Sequence, residues 1–266
     1  MKKAFIITTL ISSMLIIAMS ITFSILFVQY DKKIKIQNNR ISSLEALEEY
    51  RLLKDNIVYT ENGYNYLAIG NSITIHDVNE YWFSNCGMGA SKKENDYFHL
   101  VKSNLENKEK EVNAYAMNYI DWELQSNDRA ETYTLINKYL SPKIDLITIQ
   151  LGENVNDMST FEFDLENLIN YIKKIAFDAK IIVVDDFWKN DDRTKIKQDV
   201  CNKNNIAFVS LDEIKDNLNY QCGMNSIVYD DLGNPHQVNH TGVAKHPNDA
   251  AMKYIADRII DVLNKK

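Results

Sequence analysis

The stretch Leu67-Ala68-Ile69-Gly70-Asn71-Ser72-Ile73-Thr74 begins as a short apolar strand and then breaks at a glycine. A buried strand followed directly by polar residues is typical of an open parallel sheet, whose ligands lie at the carboxyl ends of the strands. Gly70 permits a tight turn there, so Ser72 is expected to project its hydroxyl into the crevice at that edge. Alone the signal is weak, because a serine after a strand is more often a turn or capping residue.

Short apolar segments recur along the rest of the chain, and amphipathic segments separate them. The further strand candidates are Val112–Met117, Ile144–Leu151, Ile181–Val184 and Ala207–Leu211. Helical patterns lie around 93–107, 128–140, 161–178, 192–204 and 248–264. This alternation predicts βαβ units and an α/β sandwich of about five parallel strands with helices on both faces. Residues 57–266 are assigned to this domain.

The N-terminal region differs in character from the rest of the chain. No charged residue occurs between Ala4 and Val28. A helix of about 25 residues reaches roughly 37 Å, enough to cross a hydrocarbon core of about 30 Å. Residues 1–30 are therefore predicted to form a transmembrane helix, and residues 31–56 a stalk or edge helix. A cleaved signal peptide is the alternative, since Ala18-Met19-Ser20 loosely fits a cleavage site, but the apolar run continues past it.

The charged residues on the two sides of this predicted anchor give conflicting indications of its orientation in the membrane. Lys2 and Lys3 precede the apolar run as in a signal anchor, whereas four Lys and Arg residues between positions 32 and 40 follow it. Counting these charges alone places the C-terminal side in the cytoplasm. By analogy with tethered envelope enzymes, we expect the opposite, a domain outside the cytoplasm.

Composition and motif searches exclude several function classes. The chain has 266 residues and a net charge of −7, so it is a poor candidate for binding nucleic acid. Gly87-x-Gly89 lacks the third glycine of a dinucleotide fingerprint and no P-loop occurs, so no cofactor is expected. No metal is expected either, because the spacing of His236, His240 and His246 matches no familiar zinc pattern. The three cysteines also lack metal-type spacing and are interpreted as buried free thiols.

Two later loops carry residues that complement Ser72. Gly152-Glu153-Asn154 follows the third strand, and an amide donor in that place could stabilise an oxyanion. His246-Pro247-Asn248 leads into the last helix, and a proline at the helix start would fix His246 as a general base. A hydroxyl, an imidazole and an amide at one sheet edge indicate nucleophilic catalysis.

These three blocks, in this order and strand context, resemble the SGNH hydrolase (GDSL-type esterase) superfamily over roughly residues 60 to 264. The resemblance implies a flavodoxin-like three-layer sandwich and serine ester hydrolysis. It assigns Ser72 as nucleophile, His246 as base, and Asn154 as oxyanion donor beside the Ser72 backbone N–H. The elbow G-x-S-x-G of ordinary α/β-hydrolases is absent, because Thr74 stands where its second glycine belongs.

The sequence departs from the family pattern at the second oxyanion donor. The family usually supplies this donor from a glycine after the second strand, where Asn118 stands in this chain. A backbone N–H of Asn118 would serve equally well. Residues 75–92 then form an insertion beside Ser72, and its aromatic residues Tyr81, Trp82 and Phe83 are candidates to wall the substrate pocket.

The second departure concerns the acid of the triad, normally three residues before the histidine. Val243 occupies that position. Asp230, Asp231 or Asp249 could substitute, or a backbone carbonyl could orient a Ser–His dyad. The sequence leaves this choice open.

The predicted function is a membrane-anchored serine esterase that removes short acyl groups, such as acetyl, from cell-surface carbohydrate. An O-acyltransferase of the same fold is an alternative, because the motifs do not distinguish water from a sugar hydroxyl as acceptor. A catalytically impaired binding module is a second alternative, which Val243 suggests.

Overall fold

The computed structural model describes residues 57–265 and eight residues between Phe23 and Lys35, which are helical. Apart from those eight, the predicted anchor at 1–30 and the predicted stalk or edge helix at 31–56 lie outside the described residues. Among the described residues, none of the helices combines the length and the apolar character needed to cross a membrane.

Strands and helices alternate along the chain between residues 57 and 265. The strands are β1 (Tyr64–Gly70), β2 (Val112–Asn118), β3 (Leu146–Gln150), β4 (Lys180–Val184), β5 (Ala207–Val209), β6 (Ile227–Tyr229) and β7 (Pro235–Gln237). The helices are α1 (Tyr97–Glu106), α2 (Ile120–Leu124), α3 (Tyr133–Asn137), α4 (Phe161–Ile175), α5 (Asp191–Asn204), α6 (Thr241–Ala244) and α7 (Asp249–Asn264). Short 3₁₀ helices lie at Lys93–Asn95, Arg129–Thr132 and Leu218–Tyr220.

The first five strands form one parallel sheet in the order β2-β1-β3-β4-β5. The predicted α/β fold with five parallel strands is confirmed, as are all five strand positions to within a few residues. The hairpin of β6 and β7 was not predicted. Its two strands are antiparallel and three residues long, too short to show a periodic apolar pattern.

Side chains of the sheet alternate between two apolar layers, as the period of a strand requires. Leu67 and Ile69 of β1 lie in the layer that contains the buried face of α4. Tyr66 and Ala68 lie in the opposite layer, which contains residues of α1 and α7. Because both faces are covered, the C-terminal edge of the sheet is where polar side chains from successive loops meet.

A third apolar cluster joins the 75–92 insertion to the segment that carries His246. Its buried members are Trp82, Cys86, Met88, Val228, Val238, Val243 and Ala244. The insertion is thereby packed against the β6–β7 hairpin and α6, on the side of the molecule where Ser72 lies.

Candidate active site

Ser72 lies two residues beyond the end of β1. The turn needs glycine at position 70 because of a close approach: a Cβ there would stand 1.8 Å from the Oγ1 atom of Thr74. Gly70 does not have a positive φ. Lack of space for a Cβ, rather than the conformational freedom that the sequence suggested, is therefore the reason for glycine here. Within the described residues the Ser72 N–H forms no hydrogen bond, which leaves it free to donate to a ligand.

The side chains of Ser72 and His246 meet, although 174 residues separate them. The distance from Ser72 Oγ to His246 Nε2 is 2.9 Å. The other ring nitrogen, Nδ1, lies 2.8 Å from the carbonyl oxygen of Gly242. A carbonyl can only accept, so Nδ1 carries the hydrogen and Nε2 is left as the acceptor for the serine hydroxyl. This is the tautomer that a general base requires.

None of the three candidate acids contacts His246. Asp249 accepts hydrogen bonds from the Ser91 backbone N–H and hydroxyl and from the Asn95 amide. Asp231 accepts from the Ser84 hydroxyl at 2.7 Å. The third, Asp230, lies 3.0 Å from the Nε2 atom of His236 and accepts from Asn234 in the hairpin turn. Of the options that the sequence left open, the structure places the backbone carbonyl against the imidazole.

The sequence predicted that Pro247 at the start of the last helix would fix His246, but the structure holds this backbone in another way. The last helix begins at Asp249, and the Asn248 side chain caps it by accepting from the Ala251 N–H. Pro247 therefore lies before the helix rather than at its first position, and it pairs with Gln221 in an isolated β-bridge. The His246 carbonyl accepts from the Cys222 N–H at 2.8 Å, which fixes the residue from the hairpin side.

The insertion also contacts this backbone closely. Gly89 has a φ of +96°, and a Cβ there would lie 2.4 Å from the Pro247 carbonyl oxygen and 2.9 Å from the His246 Cβ. Met88 donates its N–H to the Ser72 carbonyl at 2.7 Å. The Cys86–Ala90 segment thus touches both members of the Ser–His pair, and Gly89 is required by both its conformation and the lack of space.

Asn154 and Asn118 reach the same cavity as Ser72 and His246, a space of about 230 Å³. The Asn154 amide donates one hydrogen to Glu123 Oε2 at 2.6 Å, so its second hydrogen remains available. The Asn118 side chain donates to the Ile75 carbonyl and accepts from the Ile120 N–H. One hydrogen of the Asn118 amide is therefore still available, as it is for Asn154, while its oxygen is held by the Ile120 N–H.

Aromatic and imidazole rings line this cavity or pack against the residues that line it. Tyr81 of the insertion is stacked on His240, with ring centroids 4.4 Å apart, and both residues line the cavity. Trp188 packs edge-on against the His246 ring at 5.0 Å. Trp82, by contrast, is buried in the apolar cluster, and Phe83 stacks on His236. Of the three aromatic residues predicted to wall the pocket, Tyr81 is the one that does.

Burial determines the protonation of the central imidazole. Loss of solvent around His246 lowers its pKa to about 4, and the hydrogen bond to the Gly242 carbonyl only partly opposes this. His76 and His240 lower the pKa further through charge repulsion. The ring is therefore neutral at physiological pH and able to accept a proton.

Two acids beneath the Ser72 turn, the buried Glu123 and the half-buried Glu153, could not be found by sequence reasoning. Glu123 of α2 accepts hydrogen bonds from Asn71, Gly152 and Asn154. Glu153 accepts from Asn71 at 2.8 Å and from the Phe187 N–H at 3.0 Å. Burial raises the pKa of both carboxyls, that of Glu153 to about 7 with a contribution from Asp186. The one available signal was an acidic residue between apolar neighbours, Trp122-Glu123-Leu124, directly after the second strand.

Groups of three or more His, Cys, Asp or Glu side chains arranged to hold a metal ion are not found among residues 57–265 or the eight helical residues before them.

No family model matches the chain, and no curated protein matches it. Among solved structures, a two-domain esterase active on acetylated mannans, crystallised with mannopentaose, aligns with a TM-score of 0.50 at 16% identity. The alignment covers 83% of this chain and 54% of that esterase, so this chain spans about half its length. The likeness shows a shared fold.

Two further structures align with lower scores. A family two carbohydrate esterase from Clostridium thermocellum in complex with cellohexaose has a TM-score of 0.45 and 17% identity, over 75% of this chain and 63% of that one. A protein of the G-D-S-L family from Desulfitobacterium hafniense DCB-2 has a TM-score of 0.44 and 11% identity, over 75% and 99%.

Proposed function

We propose that this chain, which has the fold of the SGNH hydrolase superfamily, is a serine ester hydrolase. The observation that carries the proposal is the 2.9 Å approach of Ser72 Oγ to His246 Nε2 beside the Asn154 amide. A hydroxyl, a neutral imidazole and an amide donor around one cavity form the set that acyl transfer requires.

In the proposed reaction Ser72 Oγ attacks the ester carbonyl carbon while its proton moves to His246 Nε2. The carbonyl oxygen becomes an oxyanion, which accepts hydrogen bonds from the Ser72 N–H and the free Asn154 amide hydrogen. His246 then protonates the departing alkoxide, leaving an acyl–Ser72 ester. Water attacks this ester with His246 as base, and the carboxylic acid is released.

The backbone carbonyl of Gly242 takes the orienting role of the missing triad acid. It fixes the tautomer and the ring position through Nδ1 at 2.8 Å. It supplies less stabilisation to the imidazolium than a carboxylate would, because it carries only a partial charge. The loss of the corresponding aspartate costs about 10⁴ in rate in an unrelated serine protease, which is the scale of the effect that a carbonyl has to offset.

The proposed substrates are short acyl esters, such as acetyl groups on carbohydrate. The cavity beside Ser72, about 230 Å³, is small, and Tyr81 and His240 close one side of it. A protein of the same fold acts on acetylated mannans. We also propose that residues 1–30 anchor the domain and that it faces away from the cytoplasm, where surface carbohydrate would be within reach.

A covalent probe tests the proposed function. The full-length chain is incubated with a fluorophosphonate, and the adduct is located by tandem mass spectrometry. One adduct on Ser72 is expected, together with turnover of p-nitrophenyl acetate. An adduct on another residue would remove Ser72 from the mechanism. Absence of both labelling and turnover would favour a binding module, and a product assay with carbohydrate acceptors separates hydrolysis from transfer.

The pH dependence of kcat/KM should reflect the low pKa of His246. Since His246 acts as a base only when neutral, we expect the acid limb of the profile near pH 4 rather than near pH 6.5. Glu153, whose pKa is raised to about 7, should add a shallow step near neutrality that is absent from Glu153→Gln. The measurement is p-nitrophenyl acetate hydrolysis between about pH 3 and 9, corrected for spontaneous hydrolysis, so that both sides of a limb at the His246 pKa are sampled. A single limb at pH 6.5 in both proteins would contradict the assignment.

A further inference from the structure

Glu123 lies in the short helix α2, which carries none of the three motif blocks. Its side chain is 1% exposed. An unpaired buried carboxylate is costly, so a carboxylate in such a place must be compensated by hydrogen bonds or by nearby positive charge.

The three hydrogen bonds to Glu123 all come from the two loops that build the site. Glu123 Oε2 accepts from the Asn154 amide at 2.6 Å, and Oε1 accepts from the Asn71 amide at 3.1 Å. Oε1 also accepts from the backbone N–H of Gly152. Asn71 immediately precedes Ser72, and Gly152 begins the turn that ends at Asn154. One carboxylate therefore connects the turn after β1 to the turn after β3.

This arrangement determines which end of the Asn154 amide faces the cavity. The two ends of an amide differ chemically: the nitrogen donates and the oxygen accepts. A carboxylate acceptor beside the nitrogen excludes the flipped amide, which would place its oxygen against Glu123. With one amide hydrogen held by Glu123, the other is available to the oxyanion. Without that acceptor, the amide could rotate and present an oxygen to the developing negative charge.

Asn71 explains how two carboxylates share this space. Its amide donates to Glu123 Oε1 at 3.1 Å and to Glu153 Oε2 at 2.8 Å, so it uses both hydrogens. The related family usually has aspartate at this position, which would donate nothing and add a third negative charge. Lys197 is buried nearby, where it forms an ion pair with Asp186. Its positive charge lowers the pKa of both glutamates and so favours their ionised forms.

We infer that Glu123 is a positioning residue whose carboxylate orients the Asn154 amide toward the oxyanion and joins it to the turn that carries Ser72. The inference rests on the proposed hydrolase function.

The test is a double-mutant cycle between Glu123→Gln and Asn154→Ala in the full-length chain. Glutamine keeps the shape of Glu123 but can place an NH₂ group against the Asn154 donor. We expect kcat for p-nitrophenyl acetate to fall about 10- to 100-fold with KM changed less than about threefold, since an oxyanion donor acts mainly in the transition state. In the Asn154→Ala background, Glu123→Gln should cost less than about threefold, because the amide it orients is gone.

Controls separate this role from general support of the fold. Glu131→Gln removes one exposed negative charge from the neighbouring 3₁₀ helix and should leave kcat unchanged. Glu123→Asp keeps an ionised acceptor and should retain more activity than Glu123→Gln. If Glu123→Gln does not fold by circular dichroism, Glu123→Ala, which removes the acceptor altogether, replaces it in the cycle. Equal losses in both backgrounds, or no loss in either, would overturn the inference. An inactive wild type would instead overturn the proposed function, and the inference with it.

Discussion

Replacing Ser72 by alanine is expected to lower kcat/KM for p-nitrophenyl acetate by at least about 10⁴-fold, because the covalent route is then closed. The substitution removes one hydroxyl, which forms a hydrogen bond with His246 Nε2 at 2.9 Å. No buried donor is stranded, because Nε2 is the acceptor in the tautomer that Gly242 imposes. The melting temperature should therefore stay close to that of the wild type, and circular dichroism measures this directly.

Two comparisons make the result specific to Ser72. Ser103→Ala removes an exposed hydroxyl from α1 and should leave kcat/KM unchanged. His246→Ala should cause a similarly large loss, and the double variant Ser72→Ala, His246→Ala should be scarcely worse than either, because the two act as a unit. Hydrolysis and fluorophosphonate labelling that persist in Ser72→Ala would show that another nucleophile does the chemistry.

The parallel sheet could be predicted because its strands carry short, predominantly apolar runs. Every residue of β3 from Leu146 to Gln150 is buried, and such runs read as central strands of a covered sheet. The β6–β7 hairpin could not be predicted in this way. Of its six residues only Val228 is fully buried, so the hairpin is stabilised by the tertiary cluster around Trp82 rather than by a local pattern.

The approach of Ser72 and Asn154 to one edge could also be predicted, because the loops after parallel strands share one edge. His246 follows no strand of that sheet, and its place in the site was predicted from the family resemblance. The groups that orient these side chains could not be predicted from the sequence. The group on His246 Nδ1 is a main-chain carbonyl, and every residue has one. Asp121 and Glu123 are two residues apart in the same helix, yet Asp121 is exposed and Glu123 buried. Tertiary packing determines which of the two carboxyls is buried. The sequence of a five-residue helix contains too little pattern to indicate this.

Introducing the family's acid by Val243→Asp is expected to destabilise the protein and not to raise its activity. Val243 is 0% exposed and packs with Trp82, Met88 and Val238. An aspartate would place a carboxyl in this apolar cluster, and His246 Nδ1 already donates to Gly242. An unpaired buried carboxylate should lower the free energy of unfolding by about 3–5 kcal/mol.

The pH dependence of that loss identifies its cause. A carboxyl buried without a partner has a raised pKa in the folded state, so the folded protein binds the proton more tightly than the unfolded chain does. The deficit relative to wild type should therefore be smallest below about pH 4, where aspartate is protonated in both states, and should grow as the pH rises. Val243→Ala, which loses volume without gaining charge, should show a smaller deficit that does not change with pH. Urea unfolding followed by circular dichroism measures all three proteins. If Val243→Asp were as stable as wild type and raised kcat/KM, the new carboxylate would have displaced the Gly242 carbonyl from His246, and a dyad held by the main chain would no longer describe this site.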